Sequence, residues 1–415
     1  MALAQINLWL SVIGGLALVL GLSTGILARH GYLPSEPIIA VAVGVAVGPE
    51  GLSLLSLLPV GEPLPLLEEL ARLTVAFAVT SIALRLEPAY YSDRAKSLAV
   101  LLLPGMVAMW LLSTLVVYAT VSTGVVVALL VGAIVTPTDP VLANSIVVGR
   151  TATENIPKRL RYLLSGEAGV NDGAAYPFVI LSVLLLNYSP ERALADWVSE
   201  TVLWEVVGAV AVGLLVGAAV GKIEQWESGR DFLEETSVFT ITVALTLFVL
   251  GFSKLVGTDD ILAVFVAGVA YNQWADPQDE AKEQRVEEVI NRLFTVPGFV
   301  VFGMVLPWSE WVALGWQGPL VVAGILLFRR LPMVLTFRRF IPPLDRPQAS
   351  LFVGWFGPIG IAAVFYAILA MERTGSELPW VLGSLVVFGS VLAHGLTAVP
   401  ATHWYGEIGD ENDSW

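Results

Sequence analysis

The chain has 415 residues, 56% of them hydrophobic and only 14% charged, with a mean hydropathy of +0.76. That much apolar surface excludes a water-soluble globular protein, because apolar area exposed to water drives association. A net charge of −14 argues against nucleic acid as a partner, and the absence of cysteine excludes disulfides, thiol catalysis and Cys-type metal sites.

Met1–Asn7 carries neither Lys nor Arg, and the apolar run behind it is too long for a signal core, so a retained membrane helix is expected there. Apolar runs bounded by charges or Pro/Gly breaks give about thirteen spans of roughly bilayer length. They lie near 7–27, 36–49, 64–86, 96–119, 123–149, 160–186, 198–221, 234–253, 258–272, 286–306, 312–329, 348–371 and 380–403. The acidic stretches Asp276–Glu288 and Glu407–Asp413 read as solvated faces between and after them.

Basic residues test this division. With the N-terminus outside, the inner loops hold Arg29; Arg85, Arg94 and Lys96; Arg150, Lys158, Arg159 and Arg161; Lys222 and Arg230; Lys282, Arg285 and Arg292; and Arg329, Arg330, Arg338, Arg339 and Arg346. That is 18 of the 22 Lys and Arg residues, against Arg192, Lys254 and Arg373 outside and Arg72 near an outer helix end. The asymmetry predicts a multi-pass cell-membrane protein with a cytoplasmic C-terminus.

Two spans are interrupted. In the fifth, Thr136–Pro140 (TPTDP) places two prolines in mid-membrane; in the twelfth, Phe356–Gly360 (FGPIG) places one proline and two glycines. Each proline removes a backbone donor and disfavours helix at the residue before it. Unwound backbone at that depth survives only inside protein or beside a water-filled cavity. The breaks are seven spans apart, so the two segments run in opposite directions, as in transporters built from inverted repeats. Proline kinks of purely structural origin are the plainer alternative.

The sixth span carries Glu167, Asn171 and Asp172 inside an apolar run, and the fifth adds Asp139 at its break. Intramembrane carboxylates are costly and mark functional sites. At about 100° per residue, Asp172 shares a face with Ala168, while Glu167 points roughly 140° away. Glu167 is therefore expected to be a structural charge, held by a cation such as Arg330. Burial penalises an ionised Asp172 unless a proton or a cation neutralises it, and one carboxylate cannot hold both. Hard cations prefer oxygen, which unwound carbonyls at Thr136 and Thr138 can offer, with Asp139 and Asn171 adding or orienting oxygens. His394 and Thr397 could pack against the broken helices, though a satisfied structural role is the reading preferred for them; Lys254 is expected to snorkel, and the Gly-rich run Val212–Gly221 to mark close helix packing. No nucleotide loop, zinc spacing or Ser/His/Asp set is present, so neither an enzyme nor a cofactor is expected.

Ala133–Val147 (AIVTPTDPVLANSIV) followed by Ser165–Phe178 (SGEAGVNDGAAYPF) resembles the fifth and sixth helices of the monovalent cation/proton antiporter superfamily. The Asn171–Asp172 pair is similar to the electroneutral NhaP-type branch, whereas the electrogenic branch has two aspartates there. Asp260–Asn272, Leu327–Leu335, Val353–Tyr366 and His394–Thr397 agree, and the wording GWFGPIG resembles the fungal plasma-membrane sodium antiporters most. The resemblance runs from about residue 70 to 400.

It implies an all-α inverted-repeat fold with two discontinuous crossed helices. The implied core spans approximately 96–186 and 312–403, the dimerisation scaffold 1–92 and 234–306, and a linker helix 198–221, the whole assembled as a homodimer. It implies Na+ (or Li+) exchange for H+, with Asp172 binding ion and proton, Asp139 and the Thr138 carbonyl in the site, and Glu167 bracing the core. Three positions depart from the pattern. Ala168 replaces a serine ligand one turn before the aspartate, Thr80 and Ser81 stand near a usual glutamate, and Ile359 replaces an arginine. Thr80 or Ser81 could supply a neutral oxygen instead. The departures leave K+/H+ exchange open, and beyond it a channel or cation sensor on the same fold. An intramembrane aspartyl protease is remote, because its glycine-aspartate motif is missing.

Overall fold

A computed structural model describes residues 2–30, 35–57, 62–228, 237–274 and 293–409. Arg230, Lys282, Arg285, Arg292, the stretch Asp276–Glu288, the start of the run at 286–306 and the last residues of the acidic tail lie outside them. Among the described residues the regular structure is entirely helical.

In chain order the main helices are α1 (Ala2–His30), α2 (Glu36–Val47), α3 (Pro63–Arg85), α4 (Ala95–Thr120), α5 (Val125–Ile134), α6 (Pro140–Val147), α7 (Lys158–Asn187) and α8 (Pro190–Trp226). They continue as α9 (Ser237–Val256), α10 (Asp260–Asn272), α11 (Leu293–Met304), α12 (Gln317–Phe328), α13 (Leu331–Phe337), α14 (Pro347–Trp355), α15 (Ile361–Thr374) and α16 (Leu378–Gly409). Six of the described helices are long and apolar enough to cross a bilayer, and shorter apolar helices accompany them. The chain is a multi-pass membrane protein.

The two expected interruptions are real gaps between half-helices. Helix stops at Ile134 and restarts at Pro140, and it stops at Trp355 and restarts at Ile361. Proline accounts for both the stop and the restart of the first. Pro137 lacks the donor that would continue α5, while Pro140 at the first position of α6 needs no intrahelical partner. Asp139 caps that restart by accepting the amide hydrogen of Leu142 at 2.8 Å.

Close packing holds the two unwound stretches in place. Helix α7 lies against α3, α6 and α10, and α15 packs on α3 and α16. Helix α8 runs along α10 through Gly213, Gly217 and Gly221, spaced four apart on one face. A Cβ at Gly217 would lie 2.2 Å from the carbonyl oxygen of Ala267, so only glycine permits this approach.

Two expected loop charges are not in loops. Arg329 and Arg330 are each 2% exposed, drawn into the protein between α12 and α13. Their carriers are apolar on both sides, and Pro332 opens the ladder just beyond them, which is how two guanidiniums come to sit among carbonyls.

Candidate ion site

The unwound segments meet at Asp139. Its amide donates to the Pro358 carbonyl at 2.8 Å, tying the first break to the second. Of its carboxylate oxygens, Oδ1 caps α6 and Oδ2 accepts the amide hydrogen of Ile361, the first residue of α15, at 2.5 Å. One carboxylate thus caps two half-helices from different parts of the chain, where both N-terminal dipoles favour negative charge. Gly360 makes this possible: a Cβ there would stand 2.2 Å from Asp139 Oδ2.

Arg329 fills the same crossing with positive charge. Its Nη1 donates to the carbonyls of Val135 (2.8 Å), Thr136 (2.8 Å) and Pro137 (3.1 Å), and its Nη2 to that of Gly357. The carbonyls released by the two breaks are therefore largely used by a guanidinium. Thr136 is among the residues whose carbonyls are so engaged. Its carbonyl is taken by Arg329, and its hydroxyl donates to Gly132 at 2.7 Å. The sequence reading overlooked Arg329 because it neighbours Arg330 at a helix end and resembled a loop charge.

Helix α7 faces this crossing with three polar residues, each treated differently. Glu167 is fully buried and gripped by Arg330, with Nη1–Oε1 at 2.5 Å and Nη2–Oε2 at 2.7 Å, while Arg330 Nε donates to the Val353 carbonyl at 2.8 Å. Asn171 embraces Thr138: its Oδ1 accepts the Thr138 amide hydrogen at 3.1 Å, and its Nδ2 donates to the Thr138 hydroxyl at 2.6 Å. Asp172 is fully buried, and among the described residues neither carboxylate oxygen has a hydrogen-bond partner. Its backbone carbonyl accepts the hydroxyl of Tyr366 on α15. Tyr366 is a second residue that sequence reasoning missed, since nothing in its apolar neighbourhood pointed to α7.

Thr80 and Ser81 are buried on α3, and neither hydrogen-bonds the Asp172 carboxylate. The Thr80 hydroxyl donates to Ala76 at 2.9 Å and pairs with Thr246 at 3.0 Å, away from Asp172. No hydroxyl bonds to Asp172, those of Thr80 and Ser81 included. Ala168, one turn earlier, brings only a methyl group to the same face.

The second break is held from α16. Ile359 is buried and its amide donates to Ser390 Oγ at 2.7 Å, while His394 bonds Ser390 and, through Nε2, the Trp355 carbonyl at 3.0 Å. Trp355 Nε1 donates to the Thr397 hydroxyl at 3.0 Å. His394 and Thr397 hold the ends of broken backbone.

With all acids ionised, the centre holds three carboxylates (Asp139, Glu167 and Asp172) and two guanidiniums (Arg329 and Arg330). One negative charge is unbalanced. The group without a partner is Asp172, so the deficit and the unsatisfied oxygens coincide. An unpaired buried charge costs several kcal/mol. Asp172 therefore calls for a single positive charge, which a proton or a monovalent cation can supply.

Two crossed broken helices and one buried carboxylate without a hydrogen-bond partner among the described residues mark the centre of this membrane protein. The chain belongs to the sodium/hydrogen exchanger family, whose transmembrane domain matches residues 15–404. It is 34% identical over 352 residues to Na(+)/H(+) antiporter 2 of Zygosaccharomyces rouxii, covering 83% of this chain and 43% of that protein. A probable Na(+)/H(+) antiporter of Schizosaccharomyces pombe is 32% identical over 414 residues, covering 93% of this chain and 54% of the relative. The chain thus spans about half the length of these two fungal relatives. Its fold is similar to that of the sodium proton antiporter MjNhaP1 from Methanocaldococcus jannaschii. The TM-score is 0.72 at 16% identity, covering 97% of this chain and 99% of that one.

Proposed function

We propose that the chain is a secondary active transporter that exchanges Na+ (or Li+) for H+, with cation and proton competing for Asp172. The observation that carries this reading is the fully buried Asp172 carboxylate, whose two oxygens have no partner in a centre one positive charge short. Both ions answer the same need, so the site holds one or the other. One exchanged charge in each direction makes the cycle electroneutral. The names of the relatives, all of them antiporters, support the same exchange.

In this reading the saturated neighbours have supporting roles. Asn171 fixes Thr138, Asp139 locks the crossing, and the Thr138 carbonyl joins Asp172 in lending oxygen to the ion. Glu167 and Arg330 brace the helix that carries them. Alternating access arises as the core (approximately 96–186 and 312–403) moves against the scaffold (1–92 and 234–306) with the helix at 198–221 between them. The scaffold is also the homodimer surface, and the basic loops face the cytoplasm.

The test is exchange in proteoliposomes carrying a pH-sensitive dye. A Na+ gradient drives H+ movement that clamping the voltage with K+ and valinomycin leaves unchanged, and Asp172→Asn abolishes it. Exchange persisting in that variant would remove Asp172 from the mechanism. Because Ala168 and the committed Thr136 leave few protein oxygens for the ion, a Na+, Li+ and K+ series in the same vesicles separates sodium from potassium exchange.

A further inference from the structure

Asp259 opens α10 in the way Asp139 opens α6. Its Oδ1 accepts the amide hydrogen of Leu262 at 3.0 Å. The second oxygen separates the two caps. Asp139 Oδ2 receives the Ile361 amide, whereas Asp259 Oδ2 has no donor, although the residue is only 3% exposed. The Asp259 amide donates to the backbone carbonyl of Glu205 at 3.1 Å. Glu205 sits in the wide-turn π-helical stretch Trp197–Val206 of α8, a distortion often found at functional sites. The Tyr176 hydroxyl donates to Glu205 Oε1 at 3.2 Å, and Oε2, also buried, has no partner.

Arg72, the cation beside Asp260, is already committed. Arg72 Nε holds Asp260 at 2.5 Å, its Nη1 holds Glu69 at 2.7 Å, and its Nη2 donates to the Leu250 carbonyl at 3.2 Å. Asp259 and Glu205 therefore lie side by side through the backbone bond, each with one buried carboxylate oxygen that no donor meets among the described residues. Tyr366 connects this place to the ion site: its hydroxyl bonds the Asp172 carbonyl, and it lies within electrostatic reach of Asp259, Asp260 and Tyr176. Among the described residues no trio of acidic or histidine ligands converges, so the chemistry does not suit a tightly held divalent ion. Two hard oxygens around a partly hydrated monovalent ion match it.

We propose that Asp259 and Glu205 form a second monovalent-cation station, lying between the basic-poor membrane face and Asp172, which concentrates the ion before it reaches Asp172. The inference rests on the exchange reading of Asp172. It gives a use to the unsatisfied oxygens of Asp259 and Glu205 that the exchange mechanism leaves unexplained. Its elements come from both moving parts, Tyr176 and Tyr366 from the core, Glu205 and Asp259 from α8 and α10, so an ion here also senses their relative position.

The test reads binding apart from transport, with 22Na+ on the purified full chain. Asp172→Asn retains saturable 22Na+ binding, and adding Asp259→Asn with Glu205→Gln removes it. Loss of all saturable binding in Asp172→Asn alone, or binding that persists in the triple variant, overturns the station. Glu205→Gln by itself keeps Oε1 for Tyr176, so it guards against misfolding. In vesicles it raises the KM for Na+ offered from the basic-poor face by about tenfold, the scale of charge focusing, with kcat unchanged. A fall in kcat at constant KM overturns the proposal. Failure of the exchange reading would look different: unmodified protein would move no protons under a Na+ gradient, while the 22Na+ binding at Asp259 persisted.

Discussion

Glu167 and Asp172 occupy one helix and are equally buried, yet the protein treats them in opposite ways. Glu167 meets a guanidinium on both oxygens, and its cation is further tied to backbone. Asp172 meets nothing on either oxygen. The difference teaches that depth in the membrane does not by itself mark a transport site. Depth combined with an unmet charge is what the proposed exchange rests on. A paired carboxylate has no reason to exchange partners, while an unpaired one must find one from solution.

The largest effect expected is at Asp172. Asn there is nearly isosteric and removes the charge, so exchange is lost, while the unfolding midpoint in detergent stays equal or rises, because an uncompensated buried charge has been relieved. A parallel loss of stability would show that Asp172 is structural and erase its contrast with Glu167. At Glu167 the signs invert. Glu167→Gln leaves Arg330 buried and unpaired at a cost of about 3–5 kcal/mol, read as a lower unfolding midpoint. Adding Arg330→Met recovers most of that stability. If the double variant is no more stable than Glu167→Gln, the pair is not the brace described.

A smaller effect is expected where the two breaks touch. Gly360→Ala drives a methyl group against Asp139 Oδ2, displacing the carboxylate from the Ile361 amide. Overpacking of this kind costs about 1–3 kcal/mol, and exchange falls with it because the crossing loses its register. Undiminished exchange would mean that the crossing tolerates slack and that Asp139 is not its lock.

The broken helices and the odd carboxylates were legible because their signals are local. Pro137 and Pro358 each remove a donor where a helix breaks, Pro140 suits the first position of the restart, and an acid in an apolar run is anomalous without any partner. The pairing of Glu167 followed from helix geometry and a nearby cation. What the sequence hid was long-range. Arg329 reaches carbonyls about 190 residues earlier in the chain, and Asp139 caps a helix 222 residues away, so neither role shows until the two breaks are brought together. The same distance concealed that the Thr136 carbonyl accepts from Arg329.

The smallest effect expected is at Ala168, and it bears on which ion the unmet charge accepts. Ala168 lies one turn before Asp172 on the same buried face, so Ala168→Ser sets a hydroxyl beside the orphaned carboxylate. One neutral hydrogen bond or added oxygen is worth about 0.5–1.5 kcal/mol, which corresponds to a fall of roughly twofold to tenfold in the KM for Na+. The gain should favour Na+ and Li+ over K+, since an extra oxygen tightens the cavity around a smaller ion. If the hydroxyl instead satisfies Asp172 as a donor, it stabilises the bare carboxylate, so cation affinity and proton affinity weaken together, and exchange slows for all three ions. The KM series for Na+, Li+ and K+ in wild type and Ala168→Ser separates these outcomes. The first makes a scarcity of protein oxygens the source of the native selectivity. The second would show that Asp172 works because nothing donates to it.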